Sequence, residues 1–223
     1  MNAQRQSPEA SADACIGSLP EYLLRIREPQ RRLAIWERRI PAGISAWLSR
    51  DFRPQAGDCR GSLRPDDDAA AMLDALLKPA FEGNGVETRS CASFQQWRRD
   101  LQDLIALAKR IAPQTPSVMV RLQRLEDAGC PLFHVDRVPL RLLCVYVGAG
   151  TEWLPEDAVD RSRLGTGSNA SIRDWSAVQR IGRGHVAVMK GDRYPGNAGR
   201  GLVHRSPEAS PTQPRVLLAI DFG

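Results

Sequence analysis

The sequence predicts an α+β fold, a mainly helical first half followed by a strand-rich second half that closes as a sandwich or barrel. Apolar residues between Ser93 and Ala112 recur at helical spacing. After Pro116 the pattern switches to strict alternation, with Val118, Val120 and Leu122 separated by Met119, Arg121 and Gln123. From there to the C-terminus short apolar runs follow one another between Gly- and Pro-rich turns, as in small all-β architectures.

Residues 1–19 are polar and rich in Ala, Ser and Gln, and read as a disordered tail. LeuLeuArgIle at 23–26 and Leu33 to Trp36 are short strand candidates on either side of the GluProGln turn at 28–30. Pro41 suits the first position of a helix running through Arg50. The segment 66–77 opens with three aspartates, which favour a helix N-terminus, and is ended by Pro79. Ser93 is the expected N-cap of the clearest helix, 93–112, whose apolar stripe includes Trp97, Leu101, Leu104, Ile105, Ala108 and Ile111. Strands are expected at 118–123, 140–147, 185–190, 201–206 and 215–222, with 155–180 polar and irregular. The expected organisation is a tail at 1–19, a mainly helical part at 20–115 and a strand-rich part at 116–223, forming one compact unit.

The 223 residues are ample for a sizeable core, and 42% hydrophobic with 26% charged residues exclude a disordered, collagen-like or fibrous chain. The longest apolar run, Leu142 to Val147, is far too short to cross a bilayer. The first fourteen residues lack the apolar stretch of a secretory signal, so the expected location is cytoplasmic. A net charge of +5 raises the question of nucleic acid, but only Lys78, Lys109 and Lys190 are lysines, and the arginines are interleaved with acids along the chain. No basic stripe with interleaved aromatics is present, which argues against a nucleic-acid partner. Five widely spaced cysteines without a CxxC read as reduced thiols rather than a disulfide framework or zinc ribbon.

All three histidines lie in the strand-rich half. His134 and Asp136 form a His-Val-Asp step, and in a strand such i and i+2 residues share a face about 6.6 Å apart. His204 follows 68 residues later in an expected strand, and Arg215 stands 11 residues beyond it at the start of the last strand. Two imidazoles and one carboxylate make the facial triad of non-haem Fe(II), and a neighbouring arginine can clamp a carboxylate. His185, at a strand start, reads as an ordinary surface or core histidine, Cys144 as core and Asp221 as solvated.

This HxD, distal His and following Arg order resembles the Fe(II)/2-oxoglutarate dioxygenase superfamily over about residues 117–223. The resemblance implies a double-stranded β-helix (jelly-roll, cupin-like) in the C-terminal half, with the helical N-terminal part packed on it. It implies His134, Asp136 and His204 as metal ligands, Arg215 as the anchor of the 2-oxoglutarate carboxylate, and Tyr146 as a second hydrogen-bond donor to that carboxylate. Thr151, Glu152 and Trp153 would line a substrate rim. The phrases CysProLeuPheHisValAspArgValPro at 130–139 and GlyArgGlyLeuValHisArgSerPro at 199–207 more specifically resemble the bacterial domain of unknown function 1826 family, whose members are often encoded near metal-homeostasis genes. The expected function is a metal-dependent oxygenase acting on a small-molecule or protein substrate. The alternative is a non-enzymatic protein of the same fold that handles Zn(II).

Overall fold

A computed structural model describes residues 12–54, 58–81 and 90–223 of the chain. Its centre is a seven-stranded mixed sheet. In chain order the strands of this sheet are β1 (Ala14–Gly17), β2 (Leu33–Trp36), β3 (Asp58–Leu63), β4 (Val118–Leu125), β5 (Leu140–Val147), β8 (Val186–Lys190) and β10 (Arg215–Phe222), arranged in the order β1-β2-β8-β5-β10-β4-β3. Only the β1–β2 pair is parallel. A three-stranded antiparallel sheet holds β6 (Glu152–Leu154) between β7 (Gln179–Arg180) and β9 (Val203–Arg205).

The central strands of the large sheet are apolar on both faces, so both faces must be covered. Even-numbered positions such as Val120, Leu142, Cys144, Tyr146, Leu218 and Ile220 pack with the helices. These helices are α1 (Ala42–Asp51), α2 (Ala69–Leu77) and α3 (Ala92–Ile111). The seam is aromatic: Trp47, Phe52, Phe81, Phe94 and Trp97 form a cluster of ring pairs 5.5–6.5 Å apart. On the other face Leu143, Val145, Leu217 and Ala219 meet Trp153, Ile181 and Leu202 from the small-sheet side. A third cluster, built from Phe133, Leu154, Val159 and Val203, lies against residues 164–178.

The expected helices form where the apolar stripes place them, with two adjustments at their starts. Asp68 caps α2 by accepting from the Ala70 and Ala71 amides, and Cys91 rather than Ser93 caps α3, its Sγ accepting from Phe94 N. β5 and β10 span the expected residues, while β4 runs two residues further, to Leu125.

Three expectations are corrected. LeuLeuArgIle at 23–26 is not a strand: Pro20 opens a 3₁₀ helix, Pro20–Arg27, that buries Leu23 and Ile26. The expected tail is not wholly unstructured, because Ala14–Gly17 pairs with β2; residues 1–11 lie outside the described residues. The N-terminal part does not merely pack helices on a separate sheet, since it supplies β1, β2 and β3 to the large one. The irregular reading of 155–180 holds for most of that segment, which carries three short 3₁₀ turns before β7. Among the described residues no helix is long and apolar enough to cross a membrane.

Candidate metal centre

His134 and His204 meet because the backbone pairs them. His134 N donates to His204 O and His204 N to His134 O, both at 3.0 Å, which is a closed antiparallel pair. Residues opposed in this way send their side chains to one face. The rings lie 4.6 Å apart between centroids. Asp136, two residues after His134, adds its carboxylate: Oδ2 lies 3.4 Å from His204 Nε2, and Oδ1 3.9 Å from His134 Nε2. The three ligand atoms lie within 4.8 Å of one another.

Each imidazole is locked in the tautomer a metal needs. His134 Nδ1 sits 2.9 Å from Leu132 O, and His204 Nδ1 sits 3.1 Å from Leu202 O. A carbonyl only accepts, so Nδ1 is the donor in both rings and Nε2 is the nitrogen turned toward the carboxylate. Burial, reinforced by the neighbouring His134 and opposed by Asp136, pushes the His204 pKa down to about 4, so the ring is neutral at pH 7. Asp136 Oδ2 is buried and lacks a hydrogen bond, although Arg141 Nη1 lies 2.7 Å away as an ion-pair partner. A carboxylate steadied by one guanidinium and facing two imidazole Nε2 atoms fits a first-row divalent metal held at about 2.0–2.2 Å.

Two supports hold this arrangement. Arg141 on β5 reaches Asp136 while donating to Asp221 on β10, at 2.5 Å from Nε and 3.1 Å from Nη2. Asp221, expected to be solvated, is therefore partly buried and also accepts from Arg121 Nη2 at 2.6 Å. Gly191 supplies the second support. Asp192 N donates to Asp136 O at 2.9 Å, and a Cβ on Gly191 would stand 2.6 Å from that carbonyl and 2.2 Å from Val138 O.

The three ligand candidates do not stand alone. A cavity of about 170 Å³ opens beside them, lined by His134 and His204 together with Arg121, Gln123, Thr151 and Arg215. Arg215 is 1% exposed; its Nε donates to Ala149 O at 2.7 Å, Nη2 to Thr151 Oγ1 at 3.3 Å, and Nη1 to Ser206 Oγ. Among the described residues it has no ion pair. Burial pushes its pKa down to about 10, against the upward pull of Glu152. A buried guanidinium held by neutral groups is a receptor for an anion.

The remaining candidates are dispersed. Tyr146 is not brought to the cavity. It alternates onto the helix face of β5, stacks edge-on against Trp97 and donates to Asp100 Oδ2 at 2.6 Å. Its expected contact with a co-substrate is corrected on that ground, because the sheet lies between. Of the expected rim, only Thr151 lines the cavity. Trp153 is buried between the sheets, and Glu152 accepts from Arg180 and Arg205 in a separate cleft. Arg205 lies over the rings of Phe133 and Trp175 and donates to Glu152, while also contributing to the edge of the histidine-lined cavity.

The residues missed by sequence reasoning are Arg141, Asp221, Arg121 and Gln123. A signal was present for two of them: Arg141 and Asp221 are charged positions inside the apolar runs of β5 and β10.

The family model described as Protein of unknown function (DUF1826) matches residues 17–221. The chain belongs to this family. A comparison with curated proteins gives no match. Among solved structures, this DUF1826 chain resembles JOX2, crystallised in complex with 2OG, Fe and JA, at a TM-score of 0.50 and 11% identity, over 97% of this chain and 77% of that one. It also resembles a Pseudomonas putida prolyl-4-hydroxylase, at 0.45 and 10% over 91% and 97%. A full-length Neurospora crassa protein crystallised in complex with alpha-KG aligns at 0.40 and 14% over 82% and 65%. The likeness to JOX2 gives the DUF1826 chain a cupin-like fold.

Proposed function

We propose that the chain is an oxygenase of the Fe(II)/2-oxoglutarate type, with a small-molecule or protein substrate. The observation that carries this reading is that the two histidines of the His134–Asp136–His204 cluster line one cavity together with a buried, anion-seeking Arg215. A metal-storage site has no need of the second feature.

The sheet order supports the finer fold reading. The His134 segment, β9, β6 and β7 form one layer, and β8, β5, β10 and β4 the other. This is the two-layer winding expected of a double-stranded β-helix. JOX2, of the same fold, was crystallised with Fe and 2OG.

His134 and His204 would hold the metal through Nε2, and Asp136 through a carboxylate oxygen. Three protein ligands leave the remaining positions open for co-substrate and O₂. Fe(II) bound there supplies the oxidising chemistry, with 2-oxoglutarate as co-substrate. Arg215 binds the distal carboxylate of the co-substrate, and Thr151 Oγ1 and Ser206 Oγ hold that guanidinium in place. Leu143 and Leu217 line the neighbouring wall and keep it apolar, which strengthens the Arg215–carboxylate attraction.

Anaerobic Fe(II) and 2-oxoglutarate should together give the weak visible charge-transfer band of such centres. His134→Ala should abolish it. A folded, iron-loaded sample without the band refutes the oxygenase reading. Zn(II) fits the same three ligands and generally binds such sites more tightly than Fe(II). One zinc per chain with no 2-oxoglutarate binding would establish the zinc-handling alternative.

A further inference from the structure

We propose that the cavity wall formed by Arg121 and Gln123 binds the substrate through an anionic oxygen group, so that the substrate is a small carboxylate or phosphate monoester. The inference rests on the oxygenase reading above and assigns a substrate class to the same cavity.

Arg121 and Gln123 are i and i+2 on β4, so their side chains share the cavity face, about 6.6 Å apart. Across the sheet from Arg121 the β10 partner is Ala219, and beyond it lies Leu143 on β5. The small Ala219 side chain leaves room between Arg121 and the opposite wall. Arg121 is only partly committed. Its Nη2 donates to Asp221, its Nε has no hydrogen bond, and its side chain is 23% exposed. Among the described residues no hydrogen bond involves the Gln123 amide. Two donor groups therefore stand unclaimed on one wall, in the cavity that the imidazoles enter.

Charge counting points the same way. Asp136 and Asp221 balance Arg121 and Arg141, which share them as ion pairs. Arg215 and a divalent metal then add three positive charges, and a 2-oxoglutarate dianion removes two. A positive charge remains in the cavity, and Arg205, which also lines it, shares the single Glu152 carboxylate with Arg180 and so supplies nothing to offset it. A guanidinium with an unbonded Nε–H, beside a primary amide, matches a carboxylate or phosphoryl group.

The test uses the full chain, loaded with Zn(II), with saturating 2-oxoglutarate. Binding of benzoate, phenyl phosphate and neutral benzamide is followed by ligand-observed NMR at matched ionic strength. The proposal expects at least one anion to bind and benzamide not to, and the stronger anion identifies the group. Arg121→Gln and Gln123→Leu should each weaken the anion at least tenfold and leave 2-oxoglutarate affinity within twofold. Gln123→Leu removes no internal hydrogen bond, so it decides the matter if Arg121→Gln folds poorly. Equal binding of benzoate and benzamide overturns the proposal, as does anion binding indifferent to both variants. Loss of 2-oxoglutarate in Arg121→Gln also overturns it, by giving Arg121 to the co-substrate. If the wild type binds no 2-oxoglutarate, the oxygenase reading fails separately. The anion is then titrated alone, and loss in Arg121→Gln with retention in Arg215→Gln upholds the anion site.

Discussion

Tyr146→Phe separates the two faces of the large sheet. The hydroxyl is buried and donates to Asp100 Oδ2 at 2.6 Å, and Asp100 also accepts from Arg38, through Nη2 at 2.9 Å and through Nη1. Burial works against ionisation of the phenol and holds its pKa well above the ordinary value, so the hydroxyl is a fixed donor. Removing it leaves Asp100 with its Arg38 partners, so no buried charge is orphaned. The loss is one hydrogen bond to a charged group, about 2 kcal/mol. For a chain of this size each kcal/mol shifts Tm by about 2–4 °C, so thermal denaturation should show a drop of about 4–8 °C. The Fe(II)/2-oxoglutarate charge-transfer band should be unchanged in the same sample, because the phenol lies behind the sheet. A variant with wild-type Tm and no band would refute the assignment of Tyr146 to the helix face, and with it the register of β5.

Other perturbations test the site and its supports. Gly191→Ala forces a Cβ to within 2.2 Å of Val138 O and 2.6 Å of Asp136 O, so it should destabilise the fold by about 1–3 kcal/mol in urea titrations and weaken metal binding in a metal-competition assay. Arg215→Gln should keep bound metal at the wild-type stoichiometry while 2-oxoglutarate affinity, measured by calorimetry, falls at least tenfold. His134→Ala should remove the metal-dependent gain in stability, which for the wild type is about 2.7 kcal/mol at free metal 100 times Kd. Burial works against the Glu152 carboxylate, but hydrogen bonds from Arg180 and Arg205 outweigh it and hold its pKa below the ordinary value. Its stabilising share is therefore present above the usual carboxylate range and lost as pH falls through the lowered pKa; Glu152→Gln should be less stable at pH 7 and show a shallower acid limb.

Period-2 alternation made β4 legible, while β5 and β10, buried on both faces, were legible as apolar runs bounded by Gly- and Pro-containing turns. Periodicity could not reveal β1, β6 or β7, since runs of two to four residues hold too few positions to show a repeat. They exist because neighbouring strands offer unpaired edges. The ligand set was legible for a related reason. In extended backbone an i, i+2 step offers His134 and Asp136 to one face, whereas the bridge that brings His204 opposite His134 is a tertiary fact. Tyr146 shows the converse. Its residue type suited a carboxylate, but a strand position says nothing of which face meets helices until the neighbours are placed. Parity relative to Arg141 and Leu143, both on the cavity face, decides it.

The same parity explains how the site tolerates so much buried charge. Arg141 and Asp221 are direct cross-strand partners on the two central strands, and Arg121 reaches the same carboxylate from the next strand. Their charges offset one another, with Arg121 Nε left unbonded, on a face otherwise packed with Leu143, Val145, Leu217 and Ala219. Asp136 is then held from the large sheet, while both histidines belong to the small one. The cluster closes only when the two layers are correctly stacked, so metal affinity reports on the packing between them. A cavity-forming change midway between the sheets, Leu217→Ala, removes none of the ligands. It costs about 2–5 kcal/mol of stability. It should weaken metal binding in proportion as the layers shift, and unchanged affinity in a clearly destabilised variant would show that the three ligands are positioned by local backbone alone.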